Sequence, residues 1–298
     1  MRVFVTGASG WIGSAVVDEL LAADHEVVGL ARSDASASAL EAKGATVLRG
    51  DLDDLDALRR GAVDAEGVVH LANKHDWANM AESNRAERAA VETLAEALVG
   101  TGRPLVLAAG VAGLTTGRPA TEADPSPAIG PESPRGGAEN LALAYVDRGV
   151  RTVSLRFAPT VHGDGDGGFI AIITDAARRH GVSASVGDGA TSWSAVHVTD
   201  AARLVRLGLE SAPAGSRLHA VAEEAVPSRE IAQAIGDALG VPVTAVARED
   251  AVEHFGFIGM FFGLDMSAAS EHTRRVLDWT PTGPGLLEDI KAGAYRGA

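Results

Sequence analysis

The sequence predicts an α/β fold built on a doubly wound parallel sheet, and three observations support this prediction. The chain opens with an apolar strand that runs into a glycine-rich turn and then a helix. Strand patterns alternate with helical patterns through the first half, which is typical of a parallel sheet with helices on both faces. After Phe157 this alternation loosens and the helices shorten, so we expect a smaller second portion at the carboxyl edge of the sheet.

Six predicted strands and five predicted helices make up the first half. The strands are residues 2–6, 26–31, 45–49, 67–71, 104–109 and 151–157, and the helices are about 11–23, 36–43, 55–60, 80–99 and 135–148. Residues 116–134 are rich in Pro, Gly and Ser and predict a loop over the site. We assign residues 1–160 to the sheet domain, with about 190–215 returning to it, and 161–298 mainly to a substrate-binding portion.

Composition and charge argue against several classes of protein. A net charge of −14 argues against nucleic acid or an anionic membrane as partner, because both favour a basic patch. No apolar run approaches the roughly 20 residues that cross a bilayer. The chain starts directly with a strand, so we expect no secretory signal. The absence of cysteine excludes disulfides and thiolate metal sites and fits a reducing, cytoplasmic location.

The turn after the first strand contains three glycines at the spacing that a dinucleotide site requires. Gly7 permits the tight turn, Gly10 lets the backbone approach phosphates, and Gly13 lets the helix pack closely on the strand. The start of that helix offers unpaired N–H groups and a partial positive charge to a pyrophosphate. The sequence therefore predicts a Rossmann-like cofactor site. A plain strand–turn–helix, with glycines needed only for geometry, is the alternative.

The end of the second strand favours NADP(H) over NAD(H). A cofactor without the 2′-phosphate is usually held there by a carboxylate that binds its ribose hydroxyls. Ala31 occupies that place, and Arg32 and Ser33 follow it. A guanidinium suits a 2′-phosphate far better than a neutral diol. Asp34 lies past the strand end and is expected to belong to a helix cap.

The chain resembles the extended short-chain dehydrogenases/reductases, in their atypical branch, nearly from end to end. The glycine turn, Asp51-Leu52, residues 70–73 and Asn84 match signatures of that family, as do residues 155–163, 196–202 and 279–287. By this resemblance, and by the strand-end argument above, we expect the cofactor to be lined by Gly7, Ser9, Gly10, Trp11, Ile12, Gly13, Arg32, Ser33, Asp51, Leu52, Leu71, Ala72, Asn73, Ala108, Ala158 and Val161.

The departures from that family concern its catalytic residues. Where the family has a serine after the fifth strand, this chain has Ala108-Ala109-Gly110. The family's Tyr-x-x-x-Lys frame matches Arg135 to Glu139, so Glu139 would reverse the sign of the helper charge. Neither tyrosine of the chain, Tyr145 or Tyr295, has a lysine four residues later. Losing a general acid costs about 10² to 10⁴ in rate, whereas positioning contributes roughly 7–11 kcal/mol, so hydride transfer without the triad is physically reasonable.

These observations predict an NADPH-dependent ketoreductase acting on a ketone of an aromatic polyketide, because the pattern is similar to that of angucyclinone ketoreductases without the triad. The substrate would supply the proton, for instance from a phenol hydrogen-bonded to the ketone. A non-catalytic NADP-binding regulatory or sensor protein is the alternative. A sugar-nucleotide epimerase or dehydratase ranks last, because those reactions normally rely on the absent tyrosine. The family often dimerises, so a homo-oligomer is an open expectation.

Five further residues are candidates for the site. His162 and His197 flank its expected mouth, and each either replaces the missing acid or serves only the structure. Trp193 and Trp77 are candidates for a substrate wall, with simple packing as the alternative for Trp193. The aromatic run 254–266 contains Phe262 and predicts either a buried helix or an adaptable apolar lid. No histidine pairs with carboxylates at metal-ligand spacing, so we expect no metal.

Overall fold

The computed structural model describes residues 1–74, 76 and 79–295. In this part of the chain the strands are β1 (Arg2–Thr6), β2 (Glu26–Ala31), β3 (Thr46–Arg49), β4 (Gly67–His70), β5 (Pro104–Gly110), β6 (Arg151–Phe157), β7 (Thr160–His162), β8 (Ser183–Val186), β9 (Ser192–His197), β10 (Arg217–Ala220), β11 (Glu223–Pro227) and β12 (Val243–Val246). The α-helices are α1 (Trp11–Ala22), α2 (Asp34–Ala42), α3 (Leu55–Val63), α4 (Met80–Ala97), α5 (Ala138–Leu143), α6 (Phe169–His180), α7 (Val198–Ser211), α8 (Ser228–Leu239), α9 (Ala251–Phe255), α10 (Gly259–Phe262), α11 (Glu271–Leu277) and α12 (Leu286–Ala292).

A parallel sheet organises the chain as far as β10. Among the described residues its strand order is β10-β6-β5-β4-β1-β2-β3, and each neighbouring pair is parallel. The predicted fold class and the six predicted strands are confirmed, and β10 is an additional strand that the sequence analysis missed. The strand order reverses between β1 and β4. Ligands of such sheets bind at the carboxyl ends of the strands at this point.

Two apolar layers cover the sheet, because successive side chains of a strand point to opposite faces. Val3 and Val5 of β1 lie in a core shared with α1 and α7, whereas Phe4 lies in a core shared with α3 and α4. All three side chains are fully buried. This is the doubly wound arrangement, and it leaves the loops at the carboxyl ends of the strands to form the site.

The predicted helix at residues 135–148 is wrong as a single element. The structure has a 3₁₀ turn at Pro134–Gly137, then α5, then a second 3₁₀ turn at Val146–Arg148. Arg135, Gly136 and Gly137 have φ values of 53°, 61° and 64°, which are left-handed. A Cβ on Gly136 would lie 2.4 Å from the Asn84 carbonyl oxygen on α4. The close approach to α4 therefore breaks the helix that the local sequence favours.

The C-terminal part adds two small sheets, with strand orders β11-β9-β7 and β12-β8. With α6, α8, α9, α10 and α12 they enclose a second core that contains Trp193, Phe255 and Phe262. The chain returns to the main sheet as far as Ala220 at the end of β10, which is past the predicted return at 190–215. The domain boundary at residue 160 stays a prediction. No helix of the described part is long and apolar enough to span a bilayer.

Candidate cofactor and active site

The glycine turn lies between β1 and α1, as predicted. Gly7 has a φ of 69°, and a Cβ at this position would lie 2.7 Å from the backbone nitrogen of Ala72. A Cβ on Gly13 would lie 2.0 Å from the Gly7 carbonyl oxygen. Neither position accepts a larger side chain unless the turn moves, so both glycines are required by the geometry of the turn.

The first turn of α1 leaves its N–H groups without a side-chain cap. The N-cap residue is Gly10, and the first turn contains no acidic residue. Ser9 and Gly10 are exposed, while Trp11 and Ile12 are half-buried. Uncapped N–H groups at the start of a 12-residue helix attract a phosphate through hydrogen bonds and the helix dipole. The residues present therefore fit the pyrophosphate of a dinucleotide.

Arg32 and Ser33 lie at the end of β2, where the sequence predicts the 2′-phosphate. Both are exposed, and Arg32 has no hydrogen-bond or ion-pair partner among the described residues. Ser33 is the N-cap of α2, so Asp34 lies in the first turn of that helix and is not its cap. A second arginine, Arg49, donates to the Ser33 carbonyl oxygen at 2.8 Å and to Asp34 Oδ1 at 2.6 Å. The strand end thus carries two guanidinium groups and one carboxylate.

Asp51 and Leu52 follow β3 on the same side of the sheet. Asp51 Oδ1 accepts from the N–H groups of Asp53 and Asp54 at 2.9 and 3.1 Å, and Asp54 caps α3. The predicted helix start near residue 55 is confirmed here. Leu52 is buried. A cofactor contact of either residue stays a prediction.

The segment after β4 packs against the glycine turn. Leu71, Ala72 and Asn73 are half-buried, and the Ala72 N–H donates to Thr6 Oγ1 at 3.3 Å. β4 pairs with residues 105–107 of β5, and the end of β5 continues past β4 beside β6. Ala108 is half-buried there, and a Cβ on Gly110 would meet nothing within 4 Å. The end of β5 therefore forms an open floor, and its residues Ala108-Ala109-Gly110 carry no side-chain hydroxyl.

Trp11 joins the glycine turn to the segment after β6. Its indole Nε1 donates to the Val161 carbonyl oxygen at 2.7 Å. A Cβ on Gly163 would lie 3.3 Å from the Trp11 ring. Ala158 is buried and Val161 is half-buried on this segment. The structure thus brings together Trp11 and Val161, two residues that the sequence analysis assigned to one site.

A buried carboxylate that the sequence analysis missed lies beside Asn73. Glu87 on α4 is 1% exposed. Its Oε2 accepts from Asn73 Nδ2 at 3.1 Å, and its Oε1 accepts from Arg135 Nη2 at 2.5 Å. His70 Nε2 lies 3.9 Å from the same Oε1, and burial lowers the pKa of His70. Glu87 is three residues after Asn84, hence on the same helix face, and this spacing is the signal that could have found it.

Arg135 and Glu139 match the two positions of the Tyr-x-x-x-Lys pair, but the structure does not place both side chains in the site. Glu139 turns toward β6, where its Oε1 accepts from Arg156 Nε at 2.9 Å. Arg156 is fully buried and donates through Nη1 to the Asp124 carbonyl oxygen at 2.8 Å. The expectation that Glu139 occupies the position of the helper charge is wrong, because it neutralises an arginine of the core. Arg135 contacts Glu87 instead.

The two histidine candidates share a cluster with Asp289. His162 is fully buried, and its Nδ1 lies 2.6 Å from Asp289 Oδ2. Burial lowers the pKa of His162 even though Asp289 acts in the opposite direction. His197 caps α7, where its Nδ1 accepts from the Thr199 N–H at 3.3 Å. These contacts connect β7, α7 and α12, and a proton-donor role of either histidine stays a prediction.

Both tyrosine hydroxyls are already bound to carboxylates. Tyr145 donates to Glu96 Oε1 and Tyr295 donates to Asp166 Oδ2, each at 2.8 Å. The two residues are 5% and 2% exposed, so both belong to the core. Burial raises the pKa of each tyrosine. Neither hydroxyl is therefore prepared to give up a proton near neutral pH.

Trp193 and Phe262 lie inside the C-terminal core. Both are 0% exposed, and their rings meet edge to face at 5.3 Å. The run 254–266 does not form one buried helix, since a 3₁₀ turn at Gly256–Ile258 separates α9 from α10 and Met260 is exposed. Substrate contacts of Trp193 and Phe262 stay predictions. Trp77 lies outside the described residues.

The described side chains contain no group of three or more histidine or acidic residues arranged to hold a metal ion. The candidate site therefore consists of the glycine turn, the open floor at β5, the Trp11–Val161 contact and the Glu87 cluster. Its donors are backbone N–H groups and guanidinium groups. Such a set binds phosphates and other anionic oxygens.

Comparison with known proteins identifies the family. The NAD dependent epimerase/dehydratase family matches residues 3–221. The chain belongs to this family. It is 44% identical over 296 residues to the uncharacterized protein C2A9.02 of Schizosaccharomyces pombe, a match that covers 99% of this chain and 100% of the relative. The resemblance to extended short-chain dehydrogenases/reductases is thus confirmed at the level of family and fold.

Two further comparisons concern activity and cofactor. A 4-hydroxy-2-methyl-3-oxo-4-farnesyl-3,4-dihydroquinoline-1-oxide ketoreductase of Stigmatella aurantiaca is 30% identical over 223 residues, which cover 72% of this chain and 66% of that protein. The structure of MoeE5 in complex with UDP-glucose and NAD superposes with a TM-score of 0.75 at 26% identity, over 99% of this chain and 97% of that one. Family and relatives together indicate an NAD(P)-dependent oxidoreductase of the short-chain dehydrogenase type.

Proposed function

We propose that the protein is an NADPH-dependent ketoreductase that reduces a ketone of an aromatic polyketide, angucyclinone-like, without a tyrosine acid. The observation that carries this proposal is the carboxyl edge of the sheet, which has both the uncapped first turn of α1 and the open floor at the end of β5. The name of the Stigmatella relative places an oxo group next to a hydroxyl-bearing carbon of a quinoline ring. That relative supports a ketone with a neighbouring oxygen as substrate.

Positioning by the chain is the main source of rate in this proposal. NADPH, when bound, supplies the hydride. Residues 10–13 would hold the pyrophosphate, and the Trp11–Val161 contact fixes the wall beside the glycine turn. Such placement contributes roughly 7–11 kcal/mol to lowering a barrier. A missing general acid costs about 10² to 10⁴ in rate, which is the smaller effect.

The proton of the new alcohol comes from the substrate. The floor at Ala108-Ala109-Gly110 offers no side-chain hydroxyl, and both tyrosine hydroxyls bind carboxylates elsewhere. A phenol hydrogen-bonded to the ketone gives its proton to the carbonyl oxygen as hydride reaches the carbonyl carbon. The phenolate that remains then takes a proton from water.

A pair of matched substrates tests this mechanism. Purified protein is mixed with NADPH and either an ortho-hydroxyaryl ketone or its methyl ether, and loss of the reduced nicotinamide absorbance is followed. We expect turnover of the phenol and a rate lower by about 10² to 10⁴ for the ether. Equal rates with the two ketones would show that the proton does not come from the phenol.

In this proposal Arg32 gives the preference for NADP(H) over NAD(H). Its exposed guanidinium has no partner among the described residues and suits a 2′-phosphate. Hydrogen bonds to charged groups are worth about 1.5–3 kcal/mol, so Arg32→Ala should lower kcat/KM for NADPH roughly 10- to 100-fold and leave NADH nearly unchanged. Arg59→Ala, which removes another exposed arginine, one that pairs with Asp56, is the matched control. An unchanged NADPH preference in Arg32→Ala would contradict this assignment.

A non-catalytic NADP-binding sensor is the second candidate, because neither tyrosine hydroxyl is available as an acid. It predicts that NADPH binds, with quenching of tryptophan fluorescence, while a broad panel of aromatic ketones leaves the cofactor unoxidised. Ketone-dependent oxidation removes this candidate. A cytoplasmic location and a homo-oligomer stay predictions.

A further inference from the structure

The guanidinium of Arg135, held at the edge of the site, is the most unusual feature to which the proposed function gives no role. Arg135 lies in a left-handed conformation that a residue with a side chain rarely adopts, with φ of 53° and ψ of 26°. Its N–H donates to Asn84 Oδ1 at 2.8 Å, and Arg88 Nη1 donates to the Gly136 carbonyl oxygen at 2.8 Å. The turn therefore rests on α4 through two hydrogen bonds and the close contact at Gly136. Unusual backbone of this kind is concentrated at functional sites.

The guanidinium of Arg135 is held by a buried carboxylate. Nη2 donates to Glu87 Oε1 at 2.5 Å, and Glu87 is 1% exposed. Asn73 donates to the other oxygen of Glu87. A buried carboxylate is retained only when a cation and hydrogen bonds compensate it. Glu87 thus orients the arginine, and each of its two oxygens already accepts a hydrogen bond.

Part of the guanidinium faces outward. The Arg135 side chain is 36% exposed, although its Nε is buried without a hydrogen-bond partner. Among the described residues Nη1 has no partner either. Asn73 follows Ala72, which contacts the glycine turn. A continuous set of contacts therefore leads from the glycine turn through Asn73 and Glu87 to a guanidinium with free donors.

We propose that Arg135 binds the two oxygens of the substrate's hydroxy-ketone unit and stabilises the negative charge that develops on them. This inference rests on the proposed function and deepens it by naming the substrate class: a ketone whose carbonyl oxygen is hydrogen-bonded by an ionisable hydroxyl, as in an ortho-hydroxyaryl ketone. Hydride forms the new C–H bond, the hydroxyl proton moves to the carbonyl oxygen, and the phenolate or enolate left behind is paired with the guanidinium. Water then returns the proton. Arginine gives up no proton in this sequence.

Substitution of Arg135 tests the inference in three ways. Arg135→Ala should lower kcat/KM for the ortho-hydroxyaryl ketone by about 10² to 10³, the effect of removing one preorganised donor at a developing oxyanion. NADPH affinity, measured by fluorescence titration, should stay within about threefold, because the cradle for the pyrophosphate lies at α1. Guanidinium ion at millimolar concentration should restore part of the activity. Arg85→Ala, which removes an exposed arginine of α4, should change none of these values.

Loss of Arg135 leaves Glu87 buried without its cation, so this variant alone risks misfolding. The double variant Glu87→Gln and Arg135→Gln removes both charges and keeps two amides that can hydrogen-bond. It should fold, as shown by its thermal transition, and should show the same loss of kcat/KM. Retention of wild-type activity by either folded variant would overturn the inference.

Calorimetry separates failure of this inference from failure of the proposed function. Binding of ortho-hydroxyacetophenone and its methyl ether is measured with protein saturated with NADP⁺, whether or not any ketone is turned over. The wild type should prefer the phenol, and the Gln/Gln variant should lose that preference. Equal affinities of wild type and variant for the phenol would overturn the role of Arg135. If the wild type prefers the phenol but turns over no ketone, the proposed function fails and the binding site at Arg135 stands.

Discussion

Removal of the Glu139 carboxylate should destabilise the whole fold and should not act on catalysis. Glu139 is 8% exposed and accepts from Arg156 Nε at 2.9 Å, while Arg156 is fully buried. The Asp124 carbonyl oxygen satisfies one more donor of that guanidinium but does not balance its charge. In Glu139→Ala the charge of Arg156 stays in the core without a counterion.

The size of this effect follows from the burial of both partners. Breaking a buried ion pair by removing one partner costs about 3–5 kcal/mol. Whole domains are stable by about 5–15 kcal/mol, so this single carboxylate accounts for a large share of the total. With roughly 2–4 °C of Tm per kcal/mol in a domain of this size, the Tm should fall by roughly 6–20 °C.

Urea denaturation followed by circular dichroism measures the loss directly. Asp56→Ala, which breaks the exposed Arg59–Asp56 pair, is the matched control and should cost less than about 1 kcal/mol. Replacing both core partners, Glu139→Leu with Arg156→Met, should recover most of the stability, because no fully buried charge is left unpaired and Arg217, which also lies 3.7 Å from Glu139, is 31% exposed. A Glu139→Ala variant of normal stability that has lost turnover would refute this reasoning and would return Glu139 to the active site.

Three further predictions address the turn, the buried histidine and the aromatic core. Gly13→Ala should abolish NADPH binding in a fluorescence titration, because its Cβ would lie 2.0 Å from the Gly7 carbonyl oxygen, whereas Gly167→Ala, with open space around its Cβ, should bind normally. Stability in urea should fall as the pH drops below about 6.5. Burial lowers the pKa of His162 in the folded state, so the unfolded chain binds more protons, and each such histidine contributes up to about 1.4 kcal/mol per pH unit. A His162→Gln variant whose free energy of unfolding has the same slope against pH as the wild type would contradict this. Phe262→Ala should cost about 3–5 kcal/mol in the same assay, since its ring is fully buried, and a loss of less than about 1 kcal/mol would place the ring outside the core.

Local patterns were sufficient to predict the sheet, except at its edge. The strands at Arg2–Thr6, Glu26–Ala31 and Arg151–Phe157 coincide with the predicted residues. The first two are largely apolar, and the third alternates apolar Val153, Leu155 and Phe157 with polar residues, a pattern typical of a strand. Strand β10 was missed because it contains His219, which reads as polar in the sequence. In the structure His219 is fully buried, and its Nδ1 lies 2.8 Å from the Ala269 carbonyl oxygen. A polar residue satisfied by a distant segment leaves no local signal.

The site was predictable where backbone geometry defines it and not where tertiary contacts do. Glycine spacing, between an apolar strand and a helix, located the turn at Gly7 and Gly13, since steric constraints there are local. Glu87 is different, because it is one of several glutamates on α4 and is distinguished chiefly by its burial and its contacts with Arg135 and Asn73. Arg135 was itself assigned to a helix, although contacts with α4 force it into the left-handed region. Charge pairs between distant elements are therefore where sequence reasoning failed.

The charge arrangement of the Glu87 cluster suits a reaction without a protein acid. A tyrosine acid depends on a neighbouring ammonium to lower its pKa, so its activity changes with the titration of both groups. Arginine remains protonated throughout the accessible pH range, and a fixed cation stabilises a developing oxyanion without giving up a proton. If Arg135 acts in this way, the pH dependence of turnover belongs to the hydroxyl of the substrate and not to the protein. The chain then needs a buried counterion that holds the guanidinium in one place, and Glu87, bound by Asn73, has this position.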